Sequence, residues 1–570
     1  AAYLVAEGDT VRAGQDLVVV EAMKMQHVIT AKSGGIVRKL TATVGATIYE
    51  GDPLLFMEEA AVGEAEVATE ESIDLDAIRP DLAEVMARHA LGLDENRPDA
   101  VAKRRKTGQR TARENVEDLC DPGSFIEYGA LAIAAQRRRR SLEDLIKSTP
   151  ADGLVAGFGT VNAAEYGSER ARCAVLAYDY TVLAGTQGTM NHKKTDRVLE
   201  VAEQLQLPVV FFTEGGGGRP GDTDNATKVA GLDVPSFIQY ARMSGLAPRI
   251  AITSGRCFAG NAVLFGLSDI TIATANANIG LAGPAMIEGG GLGRFQPEEI
   301  GPAAELAANG VIDLLVEDEA QAVAATKQLL GYFQGPIRDW RCDDQRKLRH
   351  LVPENRLRAY DMRAVIHTLA DAGSVLELRR DYGPGLITAF VRIEGQPFGL
   401  IANNPYHLGG AIDSPAGEKG ARFLQLCEAY GLPVISLCDT PGYMVGPDSE
   451  RTAAVRRGSR LMMVSANLTV PLFVIALRKG YGLGAQAMAG GGFHRPVLTA
   501  SWPTGEFGPM GLEGAVQLGF RRELEAIADP VERQARYQQL VAKLYEQGKA
   551  ISVASVLEVD AVIDPAETRG

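Results

Sequence analysis

The sequence predicts a small all-β barrel followed by a longer α/β region built as two similar halves, in a chain of 570 residues. Three observations predict it. Near the start, Gly8, Gly14 and Glu21 are matched by Gly45, Gly51 and Glu58, each pair 37 residues apart within similar apolar segments, which marks an internal duplication. Further on, Leu207-Pro208-Val209-Val210-Phe211-Phe212 and Leu432-Pro433-Val434-Ile435-Ser436-Leu437 stand 225 residues apart, and each runs into a glycine-bearing turn. Between the two regions, residues 59–73 are acidic, small and free of aromatics, as a tether is.

Taken in order, residues 1–58 form the barrel. Each copy reads as short strands joined through glycine turns, and the segment joining the copies is available as an exposed hairpin. Its tip, Glu21-Ala22-Met23-Lys24-Met25, presents a lysine between two methionines. Residues 59–73 are the linker. From Asp74 the pattern turns helical, with Leu82, Val85, Met86 and His89 on one face and a basic run Lys103-Arg104-Arg105-Lys106 read as a solvated surface. The first α/β half spans 74–335 and the second 336–570. A second strand follows in each half, Pro248–Ile252 and Pro471–Ile475, and each empties into a further glycine turn: Gly255-Arg256-Cys257-Phe258-Ala259-Gly260-Asn261 and Lys479-Gly480-Tyr481-Gly482-Leu483-Gly484. The stretch from about Glu317 to Asp381 reads as a charged helical connection.

Composition narrows the function. A net charge of −14 argues against nucleic acid as a general partner, because neutralising phosphates requires clustered basic surface. The six cysteines are dispersed without Cys-x-x-Cys spacing, which fits free thiols in a reducing, cytoplasmic compartment. The seven histidines do not cluster at ligand spacing, so no metal site is expected. No apolar run approaches the ~18 residues of a membrane span.

The Glu-Ala-Met-Lys-Met segment in a duplicated β frame resembles the biotin carboxyl carrier domain, with Lys24 as the biotin-bearing residue. The segment from Gly108-Gln109-Arg110-Thr111-Ala112-Arg113-Glu114 to Asp121-Pro122-Gly123-Ser124-Phe125-Ile126-Glu127, and the remainder to the closing Val562–Arg569, is similar to the carboxyltransferase component of acyl-CoA carboxylases. The resemblance implies tandem crotonase-type carboxyltransferase domains preceded by a biotinyl/lipoyl-like barrel, here lacking its first strand. It further implies a biotin carboxylase domain upstream that uses ATP and Mg2+, a biotin protein ligase acting on Lys24, and a homohexamer. The short separation of carrier and transferase resembles single-chain bacterial long-chain acyl-CoA carboxylases. A biotin-dependent decarboxylase or transcarboxylase acting on a carboxyacyl-CoA is the alternative with the same fold.

A strand that empties into a glycine turn before a helix aims backbone N–H groups at one point, which is how an oxyanion is held. The implied transfer develops negative charge twice, on the biotin ureido oxygen and on the thioester oxygen, so it needs two such sites. By resemblance the amides of Ala259 and Gly260 face the acyl-CoA thioester, and those of Leu483 and Gly484 face biotin, with Gly482 and Gln486 beside them. Gln486 stands where short-chain members carry an acid, which favours a different or broader acyl range. Gly216 and Gly217 are expected to line the acyl-CoA channel. Lys193, Lys194 and Arg197, and a second cluster at Arg137 to Arg140, are candidates for the coenzyme A phosphates. Met286 to Gly293 reads as a mobile cover.

Overall fold

The computed structural model describes residues 2–62, 74–224 and 231–570. Most of the predicted linker, 63–73, lies outside the described residues. The chain divides into two compact units, Ala1–Ala83 and Glu84–Gly570.

The first unit is built from two three-stranded sheets, one of Ala2–Tyr3, Asp16–Ala22 and Met25–Thr30, the other of Thr10–Val11, Gly35–Leu40 and Leu55–Glu59. Val11, Leu17, Val18 and Val37 form its small core. The 37-residue duplication is written in the backbone. Gly8 and Gly45 take φ of 100° and 91°, and Gly14 and Gly51 take 84° and 95°. No L-residue with a β-carbon adopts these values without strain, so each repeat retains glycine at both turns.

The second unit holds two sheets of the same plan. In the first, the antiparallel strands Ile126–Glu127, Leu154–Thr160 and Arg172–Tyr178 lead into the parallel strands Val209–Phe212, Arg249–Thr253, Ile270–Thr274 and Leu314–Val316. In the other, Leu376–Leu378, Leu386–Ile393 and Gln396–Asn403 are antiparallel, and Val434–Thr440, Leu472–Tyr481, Leu498–Ser501 and Ala561–Val562 continue in parallel. The parallel strands read as continuous apolar runs because helices cover them. The crossover helices Thr189–Leu205 and Ser414–Ala429 occupy equivalent places, and one apolar core joins both sheets, with Val210 and Ile252 from one half and Phe390 and Val434 from the other. The stretch between the sheets is helical in part, with helices at Glu319–Gln334, Leu348–Leu351 and Met362–Leu369.

Candidate active site

At the tip of the first unit the strands Asp16–Ala22 and Met25–Thr30 pair down to Ala22 opposite Met25, which leaves Met23 and Lys24 as a two-residue turn. Both have positive φ, 51° and 67°, as a turn matched to the twist of a hairpin requires. Left-handed backbone at two non-glycine residues costs on the order of 1 kcal/mol or more each, so the strands hold this geometry against local preference. Lys24 is exposed and makes no hydrogen bond or ion pair among the described residues, and Met23 beside it is 97% exposed. A long amide-linked group fits here, because nothing competes for the amine and nothing blocks it.

In the second unit the repeat extends to individual hydrogen bonds. Gln187 N–H donates to Gly217 O (2.7 Å) and Arg219 N–H to Gln187 O (2.7 Å). At the positions 225 residues later, Ile412 N–H donates to Gly442 O (3.0 Å) and Met444 N–H to Ile412 O (2.9 Å). Gly217 and Gly442 both have positive φ, 87° and 119°, and so do the single-turn segments Leu183–Gly185 and Leu408–Gly410. The chemistry-bearing turns match as well. Directly after the strands Arg256–Phe258 and Leu472–Tyr481, Ala259 (φ 52°) and Gly482 (φ 60°) turn the chain into the helices Gly260–Leu267 and Gly482–Met488.

The amides at these helix starts are not all free. Ala259 N–H donates to Gly280 O at 2.9 Å, so the expected first donor pair loses one member. Among the described residues, Gly260 and Asn261 have no acceptor for their amides, and neither do Leu483 and Gly484. These two pairs are equivalent, each immediately following the positive-φ residue. The unengaged pair of the first turn is therefore Gly260–Asn261, one residue along from the expected Ala259–Gly260, because the Ala259 amide holds the turn.

Neighbouring residues brace the turns. Asn261 Oδ1 accepts from Gly217 N–H (3.0 Å), and the Arg219 guanidinium reaches Asp152 (2.5 Å) and Thr186 O (2.8 Å) beneath the glycine run. Gly216 is exposed at the mouth, whereas Gly217 is buried. In the second half Gly482 and Gln486 line a cavity of about 860 Å3, walled by Phe493, Phe507, Leu512 and Leu544. Its lining mixes these apolar side chains with polar ones, among them Gln486, His494, Gln547 and Glu558.

The basic cluster at 193–197 does not converge. Lys194 is buried, donates to Leu154 O and lies 3.5 Å from Glu127; burial lowers its pKa to about 8. Arg197 pairs at the surface with Glu200 (2.7 Å), and Lys193 is exposed. Helical periodicity accounts for this, since adjacent residues point about 100° apart. Of the second cluster, Arg139 reaches Gly221 O and Arg140 reaches Asp144, while Arg137 and Arg138 stay exposed and cap Asp224 with their backbone amides. Met286 lies on an exposed short helix, Pro284–Gly289.

Two buried ion clusters went unread in the sequence. Arg104, inside the basic run taken as solvated, is buried and forms a two-point pair with Glu214, one bond of 2.9 Å. Burial pushes the Glu214 carboxyl up to about 7, against the pull of Arg104. The equivalent residue in the second half, Asp439, is also buried and meets Arg478 (3.2 Å) and Lys479 (3.0 Å). The shared 225-residue spacing of Glu214 and Asp439 is the one signal that could have revealed them.

A biotin-type lysine tip and a duplicated pair of oxyanion-type turns define a biotin-dependent carboxyltransferase. Residues 103–570 match the family described as carboxyl transferase domain, and residues 1–57 match the biotin-requiring enzyme family. The chain belongs to the carboxyl transferase domain family. It is 32% identical over 485 residues to the methylmalonyl-CoA carboxyltransferase 12S subunit of Propionibacterium freudenreichii subsp. shermanii, covering 82% of this chain and 88% of that one. It is also 32% identical over 510 residues to the biotin-dependent long chain acyl-coenzyme A carboxylase beta4 subunit of Mycobacterium tuberculosis, covering 86% and 92%. Among solved structures, a single-chain, multi-domain long-chain acyl-CoA carboxylase shares 57% identity over 99% of this chain, with a TM-score of 0.83. This chain spans 54% of that protein's length.

Proposed function

We propose that the chain transfers a carboxyl group from biotin on Lys24 to the α carbon of an acyl-CoA, giving a 2-carboxyacyl-CoA. In this reading it is the transfer component of an ATP- and bicarbonate-dependent acyl-CoA carboxylase of long or broad acyl range. The observation that carries the reading is the pair of equivalent helix starts, Gly260–Asn261 and Leu483–Gly484, whose unengaged amides accompany a carrier lysine in one chain.

When bound, biotin supplies a ureido group able to carry the carboxyl group and then to accept the substrate α proton. The residues of this chain supply position and fixed dipoles. The amides of Gly260 and Asn261 receive the charge that builds on the thioester oxygen, and those of Leu483 and Gly484 hold the ureido oxygen. Preorganised donors of this kind pay no reorganisation cost at the moment of reaction. Gly217 lets the neighbouring turn close onto Ala259, and Gln486 faces the 860 Å3 cavity beside the second turn. Lys193 is the member of its cluster that is exposed and outside an ion pair among the described residues, and it is left for a coenzyme A phosphate.

An upstream biotin carboxylase, with ATP and Mg2+, charges Lys24 after a biotin protein ligase has modified it, and the subunit assembles as a homohexamer in the cytoplasm. Support for the hexamer is the hexamer assembly of transcarboxylase 12S, whose structure shares 30% identity over 87% of this chain at a TM-score of 0.74. The six cysteines are all free, and no described helix is long and apolar enough to cross a membrane. The test is the reverse half-reaction: a carboxyacyl-CoA is offered to the purified chain with free biotin as acceptor. Carboxyl transfer to biotin is expected, and its absence with every carboxyacyl-CoA tried would overturn the reading.

A further inference from the structure

The two halves share a buried charged network whose second copy is left open. In the first half, Arg113 meets Glu127 at 3.0 Å and Glu127 meets Lys194 at 3.5 Å; Lys194 also donates to Leu154 O. In the second half, Arg363 pairs with Glu377 through bonds of 2.8 and 2.6 Å, in the same relation between helix and edge strand. The counterpart of Lys194, 225 residues on, is Lys419 on the helix Ser414–Ala429.

Lys419 is only 1% exposed, yet among the described residues it forms no hydrogen bond and no ion pair. It lines a cavity of about 440 Å3 between the two halves, whose other charged walls are Arg249, Asp269, Asp313, Arg379 and Arg422. Arg249 is committed to Asp269 (2.8 Å) and Arg379 to Asp313 (2.7 Å). Arg422, on the rim, reaches only the Asp269 backbone carbonyl at 3.4 Å. Four cations thus face two carboxylates, and the surplus positive charge rests on Lys419 and Arg422. Of the further charges near Lys419, Glu377 is held by Arg363, and Asp381 is exposed to solvent. A buried ammonium without a partner is costly unless it loses its proton or gains an anion. The cavity has room for an oxyanion and several waters, a water occupying about 30 Å3.

We propose that this cavity binds a small, doubly charged tetrahedral oxyanion of the phosphate class, held by Lys419 and Arg422 with Arg379 shared from its pair with Asp313. The site is remote from the turns of the proposed transfer reaction: it meets the helix Gly260–Leu267 at its C-terminal end, through Gly266 and Leu267, whereas the unengaged amides lie at the N-terminal end. It is absent from the first half because Lys194 there is already satisfied. A free ion and a phosphate monoester present the same terminal group, and orthophosphate and glycerol phosphate as separate ligands distinguish the two sources.

The test is titration of the purified chain with orthophosphate against chloride at equal ionic strength, read by calorimetry and by thermal shift. Saturable phosphate binding is expected, weakened about tenfold or more in both Lys419→Met and Arg422→Gln, as loss of a charge-assisted bond entails. Arg422→Gln alters only a rim residue, so it decides the matter if Lys419→Met does not fold. Soaked tungstate should give anomalous density within the cavity. No phosphate-specific binding, or binding of unchanged strength in Arg422→Gln, overturns the proposal.

Discussion

A β-carbon placed on Gly217 would lie 2.6 Å from the Ala259 methyl carbon, well inside van der Waals contact. The two glycine turns of the first half are therefore packed backbone to side chain, and Gly217 also sits at φ 87°. The second half repeats the crowding, since a β-carbon on Gly484 would lie 2.6 Å from Gly442 C. Gly217→Ala should displace the helix start that bears the Gly260 amide while leaving the sheets intact. Loss of one such donor lowers turnover by ~10²–10³. Steady-state transfer assays, with circular dichroism to confirm folding, measure this; a variant with full kcat would break the assigned role.

Lys24→Arg should abolish avidin-detectable biotin and, with it, forward carboxylation by the full-length enzyme. The reverse half-reaction with free biotin should persist, since the transferase turns are untouched. Retention of forward activity would detach the carrier from the reaction.

Arg104→Leu strands the Glu214 carboxylate in the protein interior. Removing one member of a buried pair costs about 3–5 kcal/mol, so a large fall in Tm is expected. The double variant Arg104→Leu, Glu214→Leu should recover much of it. An unchanged Tm in the single variant would show that the pair contributes nothing.

Stability should carry a pH signature from Lys419. Burial lowers its pKa from 10.5 to about 7 in the folded chain. Between these values the unfolded chain binds more protons than the folded one, so this lysine makes the protein more stable as pH rises from 7 towards 10.5. Below 7 both states are protonated and the penalty is constant. Lys419→Met lacks the effect, so in phosphate-free buffer its Tm advantage over the parent should be largest at or below pH 7 and shrink as pH rises. Parallel Tm profiles for the two proteins would refute this.

The long or broad acyl range proposed from Gln486 is directly measurable. Gln486 stands beside about 860 Å3 of open space, and chains beyond four carbons should be accepted. An acyl-CoA series on the full-length enzyme measures kcat/KM against length, and strict preference for propionyl-CoA would contradict it.

The strands, their repeat and the carrier hairpin were legible in the sequence because apolar runs and glycine turns are local signals. Burial of charge is not. Arg104 looks like its neighbours Lys103 and Arg105, and only the fold brings Glu214 to it. Lys193 and Lys194 are adjacent in sequence, but the helix sends one to solvent and the other to the Leu154 carbonyl. The engagement of the Ala259 amide was not legible, because its acceptor Gly280 is distant in sequence and adjacent only in the folded turn. Family resemblance pointed to this loop, and the hydrogen bonds show which of its amides are unengaged.

The tip of the carrier has no slack. With only Met23 and Lys24 between paired strands, the backbone there cannot flex without unzipping the hairpin. Any travel of a group attached to Lys24 must then come from its own side chain or from displacement of the whole carrier unit. Lengthening the hairpin tip with added glycines would consequently not improve delivery. It would scatter the direction in which the lysine points, and slow the reaction through poorer aim rather than shorter reach.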